Sequence, residues 1–303
     1  MDILYIAIGL FGLLAGGEFL VRGSVAVAAR AGLSPFVIGL TLVGFGTSAP
    51  ELAASLSAAL AGSPDIALGN VVGSNIGNIL LILGLSALIA PIAMPRGSMA
   101  RDGVTLGLAS LLCAGLVLSG GVGRIAGAFC VAGLILYLVL ALRRGDDAPP
   151  ELASKSGALW VSLMGVLAGL GLIIGGAHAL VVGATDLARA VGLSEAVIGL
   201  TVVAMGTSLP ELATSLVAAR KGQGDIALGN ILGSGIFNIL GILGITALVL
   251  PLSVPAQIAG FDIWVMLGAT ALLGLFALRG RLGRVVGALF LALDALYIVL
   301  LVM

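Results

Sequence analysis

Slid by 160 positions, the sequence superimposes on itself without a gap, Ser34 to Pro91 lying on Ser194 to Pro251 with agreement at well over half the positions. Asp65-Ile66-Ala67-Leu68-Gly69-Asn70 recurs letter for letter as Asp225 to Asn230, and weaker echoes pair Pro95 with Pro255, Asp102 with Asp262, Arg124 with Arg284 and Tyr137 with Tyr297. The chain is therefore one unit written twice, and any fold it adopts must be built from two copies of that unit.

The unit is a membrane unit. Of 303 residues 60% are hydrophobic and only 9% charged, with 47 glycines, and the mean hydropathy of +1.26 excludes a soluble domain. Apolar stretches of about twenty residues, the length that crosses roughly 30 Å of hydrocarbon, recur throughout. They fall at 3–29, 36–61, 66–89, 103–117 and 125–142, then at 159–188, 196–219, 226–250, 263–278 and 285–302. The expected fold is an all-α integral membrane protein of ten transmembrane helices. Residues 1–143 form the first five-helix repeat, with its motif at 34–91, and 159–303 the second, with its motif at 194–251. Residues 144–158, which include Arg143's neighbour Arg144, Asp146, Asp147, Pro149, Pro150 and Glu151, read as a short polar linker.

Five spans per copy is an odd number, so the copies must enter the membrane from opposite sides. Taking connections alternately, one side collects Arg22, Arg30, Arg96, Arg101, Arg143, Arg144, Lys155, Arg220, Lys221, Arg279, Arg281 and Arg284, whereas the other has only Arg124 and Arg189. The positive-inside rule makes the first side cytoplasmic and places both termini outside. Met1-Asp2-Ile3 lacks the basic start of a signal peptide, so the first apolar run is expected to be a span. Cys113 and Cys130 fall inside spans and read as small apolar core residues.

Within each copy one hydrophobic span carries an acid directly after a proline, in Gly46-Thr47-Ser48-Ala49-Pro50-Glu51 and Gly206-Thr207-Ser208-Leu209-Pro210-Glu211. An acid at the bilayer centre costs about 2.5 to 3.5 kcal/mol on insertion scales, so it marks a functional position by default. Pro50 has no N–H, so the Gly46 carbonyl loses its helical partner, and unwound backbone at this depth is tolerated only in protein or around a wet cavity. Carbonyls, Thr and Ser hydroxyls and a carboxylate then converge within one turn, a set suited to a hard cation. Ser48, Glu51 and Ser55 share one helical face.

The next span adds a second polar line, with Asn70, Ser74 and Asn78 spaced by four beside a stripe of Gly69, Gly73 and Gly77; the copy has Asn230, Ser234 and Asn238 beside Gly229 and Gly233. The glycines imply close helix packing. Asn70 and Asn230 lie nearer the span ends and read as interhelical hydrogen-bonding residues. Glu18 and Arg22 are spaced for an i,i+4 ion pair, as Asp186 and Arg189 are for an interfacial one. His178 occupies the repeat position of Glu18 and reads as a packed or interfacial residue, and Asp294 has no partner evident in sequence. The first and sixth spans are long and rich in glycine.

The motifs GTSAPE and GTSLPE, with GNVVGSNIGN and GNILGSGIFN, resemble the alpha repeats of the sodium/calcium exchanger branch of the calcium/cation antiporter superfamily. The resemblance covers both halves. It implies a secondary active antiporter, not an enzyme, that exchanges Ca²⁺ for Na⁺ by alternating access, with no cofactor. Carried over residue by residue, Glu51, Glu211, Thr47 and Thr207 would hold Ca²⁺, and Ser48, Ser74, Asn78, Ala204, Ser208, Ser234 and Asn238 would complete Na⁺ and water sites. The long first and sixth spans would be the elements that slide. A multi-pass protein of a prokaryotic plasma (inner) membrane, working as a monomer among lipid and without a nucleic-acid partner, is the corresponding expectation.

One departure is Asn238, where some relatives carry Asp. Two glutamates match the charge of one Ca²⁺, so a Ca²⁺/H⁺ antiporter using the same pair remains the alternative, and a cation channel is a more distant one. An intramembrane hydrolase using Ser with His178 is disfavoured because the histidine lies in a different span from the Ser motifs.

Overall fold

The computed structural model describes residues 2–143, 159–190 and 204–302. The expected linker and residues 191–203, which include the 194–203 portion of the second motif, lie outside the described residues. Among those described, nine helices are long and apolar enough to cross a membrane, and part of the tenth is present. In chain order they are α1 (Asp2–Ala31), α2 (Pro35–Leu60), α3 (Pro64–Ile89), α4 (Arg96–Leu118), α5 (Arg124–Arg143), α6 (Leu159–Ala190), α7 (Ala204–Gly206 with Leu209–Arg220), α8 (Gly224–Val249), α9 (Ile258–Ala277) and α10 (Arg284–Val302).

The sequence writes the ends of these helices twice. α2 and α7 stop at Gly62 and Gly222, with φ of +82° and +70°, and α4 and α9 at Gly120 and Gly280, with φ of +91° and +73°. Only glycine adopts that left-handed conformation without strain, so the stops are local and repeat-matched. Pro91 and Pro251 follow the ends of α3 and α8, where a helix cannot continue. α4 and α9 begin several residues earlier than hydropathy suggests. Each opens through a π-helical turn, Met99–Gly103 and Ile258–Asp262, that buries Asp102 or Asp262 under the hydroxyl of Tyr137 or Tyr297, both at 3.1 Å. A buried acid with a hydrogen-bonding partner is tolerated inside the helix end, so the charged letters do not mark its limit.

Four two-residue strands, unforeseen in an all-helical reading, fix how the copies are oriented. β1 (Ile92–Ala93), after α3, pairs antiparallel with β4 (Arg281–Leu282), after α9. β2 (Gly121–Val122), after α4, pairs antiparallel with β3 (Leu252–Ser253), after α8. Both sheets join a strand of one repeat to a strand of the other. The 160-residue shift carries β1 onto β3 and β2 onto β4, so it exchanges the two sheets. Helices that alternate in direction put β1 with β4 at one face of the bundle and β2 with β3 at the other, which is the arrangement inverted repeats require.

The interior is densest around α8, whose residues from Ile226 to Ile236 are all buried. A Cβ on Gly229 would stand 2.4 Å from the Phe36 carbonyl oxygen, and one on Gly233 would stand 2.0 Å from that of Leu40. Glycine thus lets the backbones of α8 and α2 touch, as expected for that stripe. For Gly69, Gly73 and Gly77 the described residues place only Ile258 within 4 Å, and the repeat-matched packing segment lies outside those residues.

α1 and α6, 30 and 32 residues long, form a separate antiparallel pair along a glycine seam. A Cβ on Gly16 would meet the Gly169 carbonyl oxygen at 2.8 Å, and one on Gly176 would meet that of Gly9 at 2.9 Å. These two contacts are images of each other under the repeat. Beyond the seam, Gly17 packs against Val217 of α7, and the Glu18 carboxylate takes the Lys221 ammonium at 2.5 Å together with Arg22 at 2.5 Å.

The seam makes a testable statement. A Cβ at Gly169 would lie 2.5 Å from the Leu20 backbone nitrogen, whereas Gly171 has nothing within 4 Å. Gly169→Val should lower stability by about 1–3 kcal/mol, the usual effect of overpacking a tight contact. Gly171→Val should leave the thermal melting point in detergent near that of the parent chain.

Candidate functional site

The site begins where α2 breaks. The helix runs to Thr47, Ser48 turns out of it with φ −83° and ψ 4°, and helix resumes at Ala49. In α7, Ser208 turns in the same way with φ −93° and ψ 2°. The Ser48 N–H still donates to the Gly44 carbonyl at 3.2 Å and the Leu52 N–H to the Ser48 carbonyl at 3.1 Å. Between these bonds Pro50 supplies no donor, so the Gly46 carbonyl is released from the ladder, as its sequence implies. The break lies against α8: Gly44 contacts the backbone of Gly233 and Ser234, and Phe45 stacks on Phe237 with ring centroids 4.5 Å apart.

Each glutamate follows its break by three residues, which turns both carboxyls into the bundle. Glu51 and Glu211 are fully buried. The Ser48 hydroxyl donates to Glu211 at 2.8 Å, and the Ser208 hydroxyl donates to Glu51 at 3.1 Å. These contacts cross from one repeat to the other. Ser74 is buried on α3, one turn beyond Asn70. Among the described residues neither glutamate forms an ion pair with a base. The second carboxylate oxygen of each, Oε2, has no hydrogen-bond partner.

The polar line of α3 and α8 surrounds this pair. Asn78 and Asn238 sit at the openings of matched π-helical turns, Asn78–Leu83 and Phe237–Leu243. Both are buried, and among the described residues neither amide end of either has a partner. Buried amides cost free energy when unmatched, so four amide atoms and two carboxylate oxygens left without a partner among the described residues make this the candidate cation cage. Ser234 donates to the Gly44 carbonyl at 3.2 Å, and Thr47 donates to that carbonyl at 3.2 Å and to Asn230 Oδ1 at 3.2 Å. Thr207 lies in the turn after the short helix that Ala204 opens, in the repeat position of Thr47.

Asn70 and Asn230 hold helices together, as expected, but they do so at the glutamates. The Asn70 amide donates to the Glu51 backbone carbonyl at 3.2 Å and to Ser55 Oγ at 2.9 Å. Asn230 does the same to the Glu211 carbonyl at 3.4 Å and to Ser215 Oγ at 3.0 Å. The letter-for-letter recurrence of the segment ending at these asparagines was the available signal. Thr214, one turn after Glu211, is a further buried hydroxyl without a partner among the described residues, and its repeat mate is Ala54. Nothing in the spacing of the motif singled it out.

The pair of Glu18 and Arg22 exists, and Lys221 joins it from a distant part of the chain. Asp186 and Arg189 pair at 3.3 Å. His178 is on the exposed surface of α6. Asp294 is buried on α10, which packs against the second half of α3. Cys113 and Cys130 are buried free thiols.

Comparison with known proteins places the chain. It matches the family described as sodium/calcium exchanger protein over residues 1–143 and 161–303. The putative antiporter CaxA of Alkalimonas amylolytica is 40% identical over 292 residues, covering 93% of this chain and 92% of that protein. The sodium/calcium exchanger MaX1 of Methanosarcina acetivorans is 30% identical, with 92% of each covered. Structures of the sodium-calcium exchanger NCX_Mj soaked with Na⁺ and Sr²⁺ superimpose with a TM-score of 0.89 at 36% identity, over 98% of this chain and 97% of that one. Paired glutamates in inverted repeats, a match across both halves and a shared fold with a solved exchanger lead to one conclusion: this chain belongs to the sodium/calcium exchanger family of membrane antiporters.

Proposed function

We propose that the chain exchanges Ca²⁺ for Na⁺ at the cage between the repeats, with Glu51 and Glu211 as its charged ligands. The observation that carries this reading is the crossed pair of hydrogen bonds, Ser48 to Glu211 and Ser208 to Glu51, which brings one carboxylate from each repeat to a common point. Two carboxylates carry a charge of minus two, which one Ca²⁺ balances. Oxygen ligands of this kind suit Ca²⁺ and Na⁺. The Thr47 hydroxyl is already committed to Gly44 and Asn230, so Thr47 contributes its backbone carbonyl, with Thr207 as its counterpart. Na⁺ takes oxygens from Ser48, Ser74, Asn78, Ala204, Ser208, Ser234 and Asn238, in part through water.

Exchange follows from mutual exclusion. Because both ions need the same carboxylates, binding of one displaces the other, and a cage loaded with either presents a neutral or near-neutral load that can be moved between faces. A bare pair of charges is held back by the cost of an uncompensated acid in hydrocarbon. Both ligating glutamates come from a single chain, so one protomer is a complete transporter. The face bearing β1 and β4 is cytoplasmic in this reading because it carries most of the Arg and Lys, and the opposite face with both termini is external. The corresponding location is a prokaryotic plasma membrane.

Reconstituted ⁴⁵Ca²⁺ flux, with Na⁺ and H⁺ gradients imposed separately, tests the assignment. An outward Na⁺ gradient should drive Ca²⁺ uptake and a proton gradient alone should not; the opposite result would replace Na⁺ by H⁺ as the coupling ion. Glu51→Gln and Glu211→Gln should each reduce exchange by about 100-fold or more, the effect of roughly 3 kcal/mol expected when one member of a buried charged set is lost. Sidedness is checked with an impermeant thiol reagent on whole cells: Ser119→Cys, on the β2 face, should label, and Gly97→Cys, on the β1 face, should label only after lysis.

A further inference from the structure

We infer that Asn70 and Asn230 are positioning residues that set the spacing of the cage and thereby its preference among divalent cations. The inference rests on the exchange function proposed above. Its starting point is mechanical: the turns at Ser48 and Ser208 interrupt the helix ladder just before each glutamate, so the segment carrying the carboxylate is hinged at its N-terminal end. Something outside that helix must fix its rotation. In both repeats one asparagine amide does so from the neighbouring span.

Each amide grips two points one turn apart. Asn70 Nδ2 holds the Glu51 backbone carbonyl and Ser55 Oγ; Asn230 Nδ2 holds the Glu211 carbonyl and Ser215 Oγ. Two anchors along a helix face fix its rotation, and rotation decides where a side chain projecting from that turn arrives. Asn230 does a second job with its other end, since Oδ1 accepts the Thr47 hydroxyl across the repeat boundary at 3.2 Å. One side chain therefore ties the backbone of Glu211 to the side chain of Thr47, a glutamate of one repeat to a motif threonine of the other.

The chemistry requires an amide. Asp in its place has no donor for the glutamate carbonyl, Ser is too short to bridge two anchors, and Leu would strand the carbonyl's neighbour Ser55 or Ser215 in a buried setting. Both amide nitrogens bond the backbone carbonyls of the glutamates and the serine hydroxyls, not the carboxylates, so these residues act on the cage through the helices that carry it. A cage whose walls are held this way discriminates by size, because Ca²⁺ and the larger Sr²⁺, equal in charge, accept different oxygen spacings.

Proteoliposome exchange of Asn70→Ala and Asn230→Ala, measured with Ca²⁺ and with Sr²⁺, tests this. Each variant should raise the KM for Ca²⁺ by about 10-fold, the equivalent of one net hydrogen bond, with a much smaller change in kcat. The preference for Ca²⁺ over Sr²⁺ should fall toward unity. Ser55→Ala and Ser215→Ala, which remove one anchor and keep the fold, should shift the same ratio in the same direction by about 2- to 3-fold. An unchanged KM and ion ratio alongside a lowered melting point would make the asparagines structural fasteners only and overturn the inference. A parent chain that shows neither Ca²⁺ flux nor stabilisation by Ca²⁺ would instead remove the exchange function, so the two failures are distinguishable.

Discussion

Two carboxyl groups buried among apolar helices, with no base paired to either among the described residues, are the constraint to which the rest of the molecule conforms. Hydrocarbon offers them nothing, so the protein must surround them with hydroxyls, amides and freed carbonyls while keeping room for a positive partner. The proline break exists to free carbonyl oxygen at that depth. The π-helical turns at Asn78 and Phe237 have the same local character, since a widened turn places polar side chains where a regular helix would pack apolar ones. Glycines at 44, 229 and 233 then let α2 and α8 approach until the two motifs share one small volume.

Duplication supplies the second half of the cage at no cost in new structure, but the two faces of the molecule are not equal. On the side of β1 and β4, Glu18 holds Lys221 and thereby ties α1 to the end of the helix whose first turn carries Glu211. The repeat mates are His178 and Ala61, which cannot form that bond. Likewise Asp102 is met by the Arg101 guanidinium in a two-pronged contact, while the mate of Arg101 is Phe261, stacked on Tyr297. The scaffold near the site is symmetric; the charged fittings toward its ends are specific to one face.

Much of this was legible in the letters, for physical reasons. Membrane insertion makes apolar length a direct read-out of helices, and a gapless internal match with five spans forces inversion. Pro50 and Pro210 announce the breaks because proline acts on its own backbone. What the sequence could not display were contacts that depend on three-dimensional register. Lys221 lies 203 residues from Glu18, and no local rule joins them. Asn70 and Asn230 look like ordinary helix fasteners because they lie near the span ends in sequence, yet their amides bond the glutamate backbone. The fourth and ninth spans were read short because Arg101, Asp102 and Asp262 look like interfacial residues until Tyr137 and Tyr297 are seen above the acids. The strands were missed because two residues carry no alternation to detect.

Those strands carry a consequence for the halves taken singly. β1 and β2 belong to the first repeat, and each finds its partner only in the second, at opposite faces of the bundle. A free half-length chain would expose both edges, together with the polar side of its motif, to lipid headgroups and hydrocarbon. Its complement would have to be another half inserted upside down, so the covalent link between the repeats guarantees, at synthesis, a supply of both orientations in equal number.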